Sequence, residues 1–487
     1  MNRAIRRVGY AMIVLIVVLV GQLTYLQVVD ADRLANDPNN IRKFLHDFNR
    51  ERGKILTADG QVVAESQPTG GELKYQRVYP LGDLFSQISG YQSFVIGNTG
   101  VEASYNGVLT GRDPKFQLSL ENLPKLFSDK QNTGNVVLAQ TQSAQQAARD
   151  ALGGQKGSVV AIDVKSGAVM AMFSNPTFDP NPLAQHDTKA VNLASFLLNS
   201  NPEKPALARA YRERYPPGST FKIVTTVGSL DTGIATPDRV FPVSNGFPLP
   251  QTQVSVGNFG GTPCGGTLTQ SFIQSCNATF ARLGAELNDQ FVPVMNRCGV
   301  GSAAAPVGPP LDLEPGAAGS VGPATGDPQA RFALAGIGQG DVFTTPLEMA
   351  LVGAGIANGG VIMEPHVASQ VTDSDGHVVD TIAAKPWLTC TSPQTAAAVT
   401  DMMVLNVEQG TATGAQIPGV TVAAKTGTAQ NEVGDPHAWF VAFAPAENPR
   451  FAVSVLVENG GSFGSEATGG RVAAPIARQV LETLLAQ

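Results

Sequence analysis

The sequence predicts a mixed α/β protein with two folded units behind an N-terminal membrane anchor. Three observations support this prediction. Residues 8–29 form one long apolar run close to the N-terminus. From residue 154 onward, strand-like runs begin and end the chain with helix-like segments between them, as in layered α/β folds. The 52 Gly and 33 Pro among 487 residues imply many turns and long connections rather than a helical bundle.

The apolar run at 8–29 is long enough to cross a bilayer, since about 20 residues suffice. Three arginines precede it within residues 1–7, and Asp30 and Asp32 follow it. Basic residues favour the cytoplasmic side, so we expect a cytoplasmic tail at 1–7, a single-pass anchor in the plasma membrane and an extracytoplasmic remainder. The alternative is a cleaved signal peptide, which has a shorter apolar core and a small-residue cleavage site.

Beyond the anchor we predict a polar linker at 30–49, a first unit at 50–153 and a second unit at 154–487. The first unit opens with a turn into a strand, followed by an Asp-Gly pair that predicts a hairpin. It ends with an Ala- and Gln-rich helix at 140–152. An Ala-, Gly- and Pro-rich stretch at 299–330 predicts an irregular surface connection.

The second unit begins and ends with strands. Runs at 157–163 and 168–172 flank a tight turn and predict a hairpin. A Tyr-Pro-Pro-Gly breaker precedes a helix that opens at Ser219 and runs to about Leu230. The predicted C-terminal elements are strands at 439–443 and 451–457, the second of them central in its sheet, and a helix at about 472–485.

The composition excludes several classes of protein. Hydrophobic residues make up 43% of the chain and charged residues 15%, which is enough for a core and leaves little disorder. A net charge of −7, with no basic block beyond the N-terminus, argues against a nucleic-acid partner. The five scattered His residues argue against a structural zinc site, and no G-x-G-x-x-G points to a dinucleotide enzyme.

The four cysteines lie in the exterior portion, where disulfides form and four thiols allow three pairings. Cys264 and Cys276 flank a Gly-rich stretch, and we predict a disulfide between them first. A Cys298–Cys390 bridge is the weaker prediction. The alternative is that some of these cysteines are buried free thiols, which is common for Cys.

Ser219 and Lys222 have the spacing S-x-x-K at a predicted helix start, so both side chains lie on one helix face. A buried lysine close to another cation becomes a neutral amine that can take the serine proton. The helix N-terminus also favours a developing oxyanion. Alone this spacing arises by chance, and the alternative is a capping serine followed by a surface lysine.

Two further motifs follow Ser219 in the chain. Ser275-Cys276-Asn277 provides a hydroxyl that can relay a proton and an amide that can hold a substrate amide. Lys425-Thr426-Gly427-Thr428 follows an apolar run and is predicted to lie on a strand, where the lysine can bind a carboxylate and the glycine allows close approach of a ligand. The order S-x-x-K, S-x-N, K-T-G is the signature of penicillin-binding proteins and serine β-lactamases. A Ser-Tyr-Asn run at 104–106 and a Lys-Ser-Gly run at 165–167 match two of these patterns, but both precede Ser219 and are interpreted as turns.

The sequence resembles the class B penicillin-binding proteins, the monofunctional peptidoglycan transpeptidases, over nearly the whole chain, and in particular the small A-type enzymes of high-GC Gram-positive bacteria. The residues that carry this resemblance are Arg50-x-Arg52-Gly53-x-Ile55, Gly100-x-Glu102 with Tyr105, Tyr215-Pro216-Pro217-Gly218 before Ser219, Gly336-Ile337-Gly338-Gln339-Gly340 and Ala357-Asn358-Gly359-Gly360. One departure is Ala442, where the family usually has Gly. The resemblance implies a small non-catalytic pedestal or dimerisation-type domain followed by a transpeptidase domain with an antiparallel sheet between helices.

The resemblance also implies roles for the catalytic residues. Ser219 would attack the penultimate D-Ala carbonyl of a stem peptide ending in D-Ala-D-Ala and release D-Ala. Lys222 would be the base, Ser275 would pass the proton to the leaving amine, and Asn277 would hold the acyl-chain amide. An amine from a second stem peptide would then resolve the acyl-enzyme into a crosslink, and β-lactams would acylate the same serine.

The third motif would bind the end of the substrate. Lys425 and Thr426 would hold its terminal carboxylate beside Gly427, while the N–H groups of Ser219 and Thr428 would form the oxyanion hole. No metal or organic cofactor is implied. A membrane glycan polymerase of the SEDS type and proteins of division or elongation are the partners that the resemblance implies.

Two rival functions stay open at this point. A D,D-carboxypeptidase or β-lactamase shares the signature but uses water, and no E-x-x-L-N pattern that would supply a deacylation base lies between Ser275 and Lys425. A non-catalytic envelope scaffold is the second rival, although a pseudoenzyme would be expected to lose part of the three motifs.

Overall fold

The computed structural model describes residues 2–30, 33, 47–117, 133–301, 308–321, 327–431 and 434–487. Most of the predicted linker at 30–49 lies outside the described residues, as do parts of the predicted connection at 299–330. The described helices of five or more residues are Asn2–Thr24, Gly100–Ser104, Gln142–Leu152, Thr188–Ser200, Lys222–Asp231, Leu268–Ile273, Asn277–Leu287, Phe291–Arg297, Pro328–Ala335, Pro346–Ala357, Pro393–Gln409 and Ala474–Leu485.

The N-terminal helix, Asn2–Thr24, continues through one π-helical turn, Tyr25–Val29. The most apolar 18-residue window of its segment Ile5–Val29 has a mean hydropathy of 2.3, and no part of that window is buried within the protein. The helix is therefore long and apolar enough to cross a membrane, as the sequence predicts.

A six-stranded sheet, here called the N-terminal sheet, organises the first unit. Its strand order is Val378–Thr381, Ala368–Thr372, Asn135–Leu138, Ile55–Leu56, Val62–Pro68 and Tyr75–Val78. Ile55–Leu56 pairs antiparallel with Val62–Pro68, so the hairpin predicted at the Asp-Gly turn is confirmed. The first two strands come from far along the chain and join the sheet through Asn135–Leu138. The second unit thus adds a hairpin to the sheet of the first.

The helix Gln142–Leu152 packs on the second unit, although the predicted boundary after residue 153 assigns it to the first. It contacts the strand Val169–Asn175 and the C-terminal helix Ala474–Leu485. The side-chain amide of Gln145 bonds the backbone of Met172 in the way a neighbouring strand would. Its Nε2 donates to Met172 O at 2.8 Å, and its Oε1 accepts from Met172 N at 3.0 Å. The helix also bonds the first unit, since Gln145 Nε2 donates to Leu84 O at 3.1 Å. The sequence predicted the helix but not the sheet that it covers.

The two N-terminal motifs meet in a buried ion cluster. Arg52 Nε donates to Glu102 Oε2 at 2.6 Å, and Arg77 Nε donates to Glu102 Oε1 at 2.5 Å. Burial alone would raise the pKa of Glu102, but the two guanidinium groups outweigh it and lower the pKa, so the carboxylate stays ionised. These residues hold the helix Gly100–Ser104 against the N-terminal sheet.

A five-stranded sheet, here called the central sheet, forms the core of the second unit. Its strand order is Ala423–Asn431, Gly434–Ala444, Phe451–Val457, Gly157–Asp163 and Val169–Asn175, and every neighbouring pair is antiparallel. The buried strand Phe451–Val457 is central, and Gly157–Asp163 with Val169–Asn175 forms a hairpin, as the sequence predicts. The fully buried helix Pro346–Ala357 and the C-terminal helix Ala474–Leu485 both pack on this sheet. The predicted fold, an antiparallel sheet between helices, is confirmed.

The segment 308–321, here called the connecting segment, contacts both units. Tyr105 donates its hydroxyl hydrogen bond to Asp312 Oδ2 at 2.6 Å, and the backbone N–H of Gly100 donates to Glu314 Oε2 at 2.8 Å. This part of the predicted surface connection is therefore packed against the short helices of the first unit around residues 100–105.

Candidate active site

The turn that presents Ser219 is held between two neighbouring elements. Gly218 adopts φ 54°, and a Cβ at this position would lie 2.7 Å from Thr428 O, so the turn requires glycine. Its N–H donates to Gly338 O at 2.9 Å on the other side. The indole of Trp439 donates to Pro216 O at 2.9 Å. The Pro-Pro-Gly sequence thus fits the nucleophile turn tightly against the central sheet.

The helix that carries the S-x-x-K motif begins differently from the prediction. Gly218–Phe221 is a 3-10 turn, and the α-helix runs from Lys222 to Asp231 rather than from Ser219. Because residues three apart eclipse each other in a 3-10 turn, Ser219 and Lys222 still project on the same side. The tighter turn leaves the geometric basis of the motif intact.

Lys222 joins the first two motifs. Its ammonium nitrogen lies 2.7 Å from Ser275 O, 3.2 Å from Ser275 Oγ and 2.8 Å from Asn277 Oδ1. The side chain is fully buried. Burial, and secondarily the charge of Lys425, lowers the pKa of Lys222 well below its usual range. A neutral amine at this point is the state that a general base requires.

Ser275 occupies a bend between the helices Leu268–Ile273 and Asn277–Leu287, with φ 60°. The next residue, Cys276, is joined by a disulfide to Cys264, and the structure joins Cys298 to Cys390 in the same way. The first bridge ties the bend of the S-x-N motif to a neighbouring strand.

Lys425 completes the cluster from the strand Ala423–Asn431. Its Nζ donates to Ser275 Oγ at 2.9 Å and to Thr426 O at 3.2 Å. The side chain is fully buried, and this burial lowers the pKa of Lys425 to about 7. The structure therefore brings all three sequence motifs to the single hydroxyl of Ser275.

A cavity of about 670 Å³ opens over this cluster. Its lining includes five of the predicted site residues, namely Ser219, Ser275, Asn277, Thr426 and Thr428. The hydroxyl of Ser219 has no hydrogen-bond partner among the described residues and is free to react. No Asp or Glu belongs to the described lining of the cavity.

Gly427 packs closely against the nucleophile turn. A Cβ at Gly427 would lie 3.0 Å from Pro217 O and 2.9 Å from Trp439 Cβ. This glycine therefore allows the close approach of the nucleophile turn to the strand Ala423–Asn431.

Gln339 and Thr411 are among the residues of this cavity that the sequence did not predict as site residues. Gln339 lines it, and its Nε2 is buried without a hydrogen-bond partner among the described residues. Thr411 lines it as well and lies 2.6 Å from the hydroxyl of Thr426. The Gly-Ile-Gly-Gln-Gly motif drew attention to the region of Gln339, whereas the stretch around Thr411 has no recognisable pattern.

The two decoy motifs lie elsewhere. The Lys-Ser-Gly run at 165–167 forms the turn of the hairpin between Gly157–Asp163 and Val169–Asn175. The Ser-Tyr-Asn run at 104–106 lies in the first unit, at the junction of two short helices. Their exclusion by chain order agrees with this placement.

An antiparallel sheet between helices, with a serine and two buried lysines around one cleft, defines an acyl-transferring enzyme of the penicillin-binding type. The chain belongs to the penicillin-binding protein transpeptidase family. The model of the penicillin binding protein transpeptidase domain matches residues 157–482, and that of the penicillin binding protein A dimerisation domain matches residues 52–137.

Individual relatives agree with this assignment. The chain is 39% identical to peptidoglycan D,D-transpeptidase PbpA of Mycolicibacterium smegmatis, over 100% of this chain and 99% of that protein. Its fold matches penicillin-binding protein A from M. tuberculosis in a ceftriaxone acyl-enzyme complex, with a TM-score of 0.83, 36% identity, and coverage of 91% of this chain and 100% of the other. A penicillin G acyl-enzyme complex of the same protein gives a TM-score of 0.81 at 36% identity, over 90% and 100% of the two chains.

Proposed function

We propose that this protein is a peptidoglycan D,D-transpeptidase that crosslinks stem peptides through an acyl-enzyme on Ser219. The observation that carries the proposal is the convergence of two buried lysines, Lys222 and Lys425, on Ser275 Oγ beneath the cavity that exposes the Ser219 hydroxyl. Relatives along the full length are named D,D-transpeptidases, and related structures are described as β-lactam acyl-enzymes.

The hydrogen-bond partners of Lys222 indicate where the protons and the lone pair of its amine point. Asn277 Nδ2 donates to Gly257 O at 2.9 Å, which leaves Asn277 Oδ1 as an acceptor facing Lys222. The carbonyl of Ser275 can also only accept. A neutral amine has two protons for these two acceptors, so in the unliganded protein its lone pair faces Ser275 Oγ and accepts a hydrogen bond from the Ser275 hydroxyl.

Acylation then follows a balanced proton relay. When substrate binds, the Ser275 hydroxyl turns toward the leaving nitrogen and frees the lone pair of Lys222. Ser219 Oγ then attacks the carbonyl carbon of the penultimate D-Ala while its proton passes to Lys222 Nζ. As the C–N bond breaks, Ser275 gives its proton to the leaving amine of D-Ala, and Lys222 returns a proton to Ser275. Base catalysis of this kind typically contributes about 10²–10⁴-fold in rate.

Binding of the substrate's end uses the third motif. In this proposal the ammonium of Lys425 and the hydroxyl of Thr426 hold the terminal carboxylate, and the N–H groups of Ser219 and Thr428 stabilise the oxyanion. Asn277 holds the acyl-chain amide. Its Nδ2 bonds Gly257 O in the unliganded protein and has a second proton for the substrate.

The acceptor is an amine rather than water. Hydrolysis of a stable acyl-enzyme needs a base that activates water, and the described cavity lining contains neither Asp nor Glu for that role. This argues against the β-lactamase alternative, while the D,D-transpeptidase names of the relatives matched over their full length argue against the carboxypeptidase alternative. The intact bonding of all three motifs argues against a scaffold without catalytic activity.

The protein is oriented with its two folded units outside the membrane, where the first unit can bind partners. Arginines before the apolar helix and Asp30 after it favour a cytoplasmic N-terminus, and the two disulfides fit an extracytoplasmic second unit. We assign the pedestal role to the N-terminal sheet with its helices. None of the described residues that line the cavity around Ser219 belongs to this unit, which leaves it available to contact a membrane glycan polymerase of the SEDS type and division or elongation proteins.

The fate of the acyl group tests this function. Full-length protein in detergent would be incubated with a synthetic donor peptide ending in D-Ala-D-Ala, with and without an acceptor amine, and the products measured by mass spectrometry. We expect release of D-Ala and an amide product that depends on the amine and is lost in Ser219→Ala. Hydrolysed peptide as the sole product, even at high amine concentration, would identify a carboxypeptidase instead.

A further inference from the structure

Thr411 lies just after the helix Pro393–Gln409 and bonds to the K-T-G motif. Its Oγ1 is 2.6 Å from Thr426 Oγ1, and Thr411 lines the same cavity as Ser219. The backbone of Thr411 packs closely against Gly470, since a Cβ on Gly470 would lie 2.4 Å from Thr411 O. A defined hydroxyl thus faces the residue proposed to bind the substrate carboxylate.

The direction of the Thr411–Thr426 hydrogen bond follows from Asn406. This side chain is fully buried, and its Nδ2 donates to Ala424 O at 3.0 Å. Its Oδ1 accepts from the backbone N–H of Thr411 at 3.0 Å and from Thr411 Oγ1 at 3.1 Å. Since a hydroxyl has one proton, and that of Thr411 goes to Asn406, the Thr426 hydroxyl donates to Thr411 in the unliganded protein.

This direction conflicts with carboxylate binding. A carboxylate only accepts, so Thr426 must turn its proton toward the ligand to bind it. Thr411 can then rotate its own proton from Asn406 to Thr426. Asn406 Oδ1 keeps the backbone N–H of Thr411, so no buried acceptor is left without a partner.

We propose that Thr411 is a positioning residue for the terminal carboxylate of the substrate, whose hydroxyl reverses its hydrogen bond so that Thr426 donates to the ligand. The inference rests on the proposed function, in which Lys425 and Thr426 receive that carboxylate. It adds a residue outside the three sequence motifs to the machinery that selects substrates with a free C-terminus.

The test compares a ligand with and without the carboxylate. Acylation rate constants of the full-length protein would be measured with benzylpenicillin and with its methyl ester. Thr411→Val should slow acylation by benzylpenicillin about tenfold or more, since hydrogen bonds to charged groups are worth more than neutral ones. With the methyl ester, the same substitution should change the acylation rate constant by less than about threefold, because the ester offers no carboxylate for Thr426.

Three further variants separate positioning from structure. Thr411→Ser keeps the hydroxyl and should restore most of the rate with benzylpenicillin. Thr413→Val removes an exposed hydroxyl two residues away that bonds nothing among the described residues, and should change neither rate. In a protein that already carries Thr426→Val, Thr411→Val should cause little further loss of acylation rate, because both residues act through the hydrogen bond from Thr426 to the carboxylate. If Thr411→Val fails to fold, Thr411→Ala takes its place.

The outcomes are distinct. Equal losses with acid and ester, or no loss with benzylpenicillin, would overturn the role of Thr411. A parental protein that reacts equally fast with acid and ester would overturn carboxylate recognition itself. A parental protein that is not acylated by either ligand would overturn the proposed function.

Discussion

At the scale of single residues, Ser275 connects the two buried lysines. Lys222 and Lys425 both lie within hydrogen-bond distance of its hydroxyl, away from water. Burial lowers the pKa of both lysines, and the charge of Lys425 lowers the pKa of Lys222 further. This arrangement allows Lys222 to act as a base while Lys425 keeps its proton for a carboxylate.

Removal of Lys222 tests the base assignment. Lys222→Ala should slow acylation by benzylpenicillin by about 10²–10⁴-fold, the usual contribution of a positioned base. The rate would be followed by intact mass at several drug concentrations. Acylation of Lys222→Ala at the parental rate would show that another group takes the Ser219 proton.

The pH dependence of acylation tests the division of roles between the lysines. The rate with benzylpenicillin should rise as Lys222 loses its proton and fall as Lys425, with a pKa of about 7, loses its own. The profile is therefore bell-shaped for the free enzyme, with a descending limb that belongs to carboxylate binding. The methyl ester should lack that limb. An identical descending limb with acid and ester would assign it to a different group.

Much of this site could be predicted from the sequence at the residue scale. Ser219, Lys222, Ser275 and Lys425 are named by short motifs because their chemistry requires fixed local spacing. Thr411 could not be predicted, because its role depends on a contact between the turn after the helix Pro393–Gln409 and the strand Ala423–Asn431.

At the scale of elements, the nucleophile turn depends on its contact with the central sheet. The carbonyl of Thr428 lies where a Cβ on Gly218 would be, at 2.7 Å. The Pro-Pro-Gly sequence predicted a breaker at this place. The 3-10 geometry of Gly218–Phe221 was not predicted, because the choice between 3-10 and α depends on the strand that packs against the turn.

Gly218→Ala should therefore displace Ser219 while the fold persists. We expect acylation by benzylpenicillin to fall by about 10²-fold, since a misplacement of about 1 Å can cost this much. Gly233→Ala is the matched control, because Gly233 also has a positive φ, 70°, but no atom within 4 Å of its added Cβ. Equal acylation rates for the two variants would show that the contact of Gly218 with Thr428 does not position Ser219.

The sequence did not predict which strands pair when they are far apart in the chain. The hairpins at 55–68 and 157–175 follow from turn signals between strand-like runs that are close together in the chain. The pairing of Ala368–Thr372 with Asn135–Leu138 joins strands that are far apart in the chain, and no local signal specifies such a partner.

At the scale of the whole molecule, the connecting segment links the two units. Asp312 accepts from the Tyr105 hydroxyl at 2.6 Å, and from the N–H groups of Val367 at 2.6 Å and Ala368 at 3.1 Å. One carboxylate thus bonds a helix of the first unit and the start of the hairpin that the second unit adds to the N-terminal sheet. The predicted boundary at residue 153 missed this mutual dependence of the two units.

Asp312→Ala should loosen this junction. Two backbone N–H groups lose their partner, which costs about 1–3 kcal/mol for each buried group left unsatisfied. Hydrogen exchange should accelerate at Val367 and Ala368. Tyr105→Phe removes only the hydroxyl contact and should leave those two amides protected. Unchanged exchange in Asp312→Ala would show that the connecting segment does not hold the units together.

The most direct test of the acyl-serine account is the intact mass of the full-length protein after exposure to benzylpenicillin. The account predicts a gain of one drug mass on the parental protein that persists after the drug is removed, and no gain on folded Ser219→Ala. An adduct that disappears within seconds would indicate a β-lactamase. An adduct that Ser219→Ala still forms, or none on the folded parental protein, would contradict the assignment of Ser219 as the nucleophile.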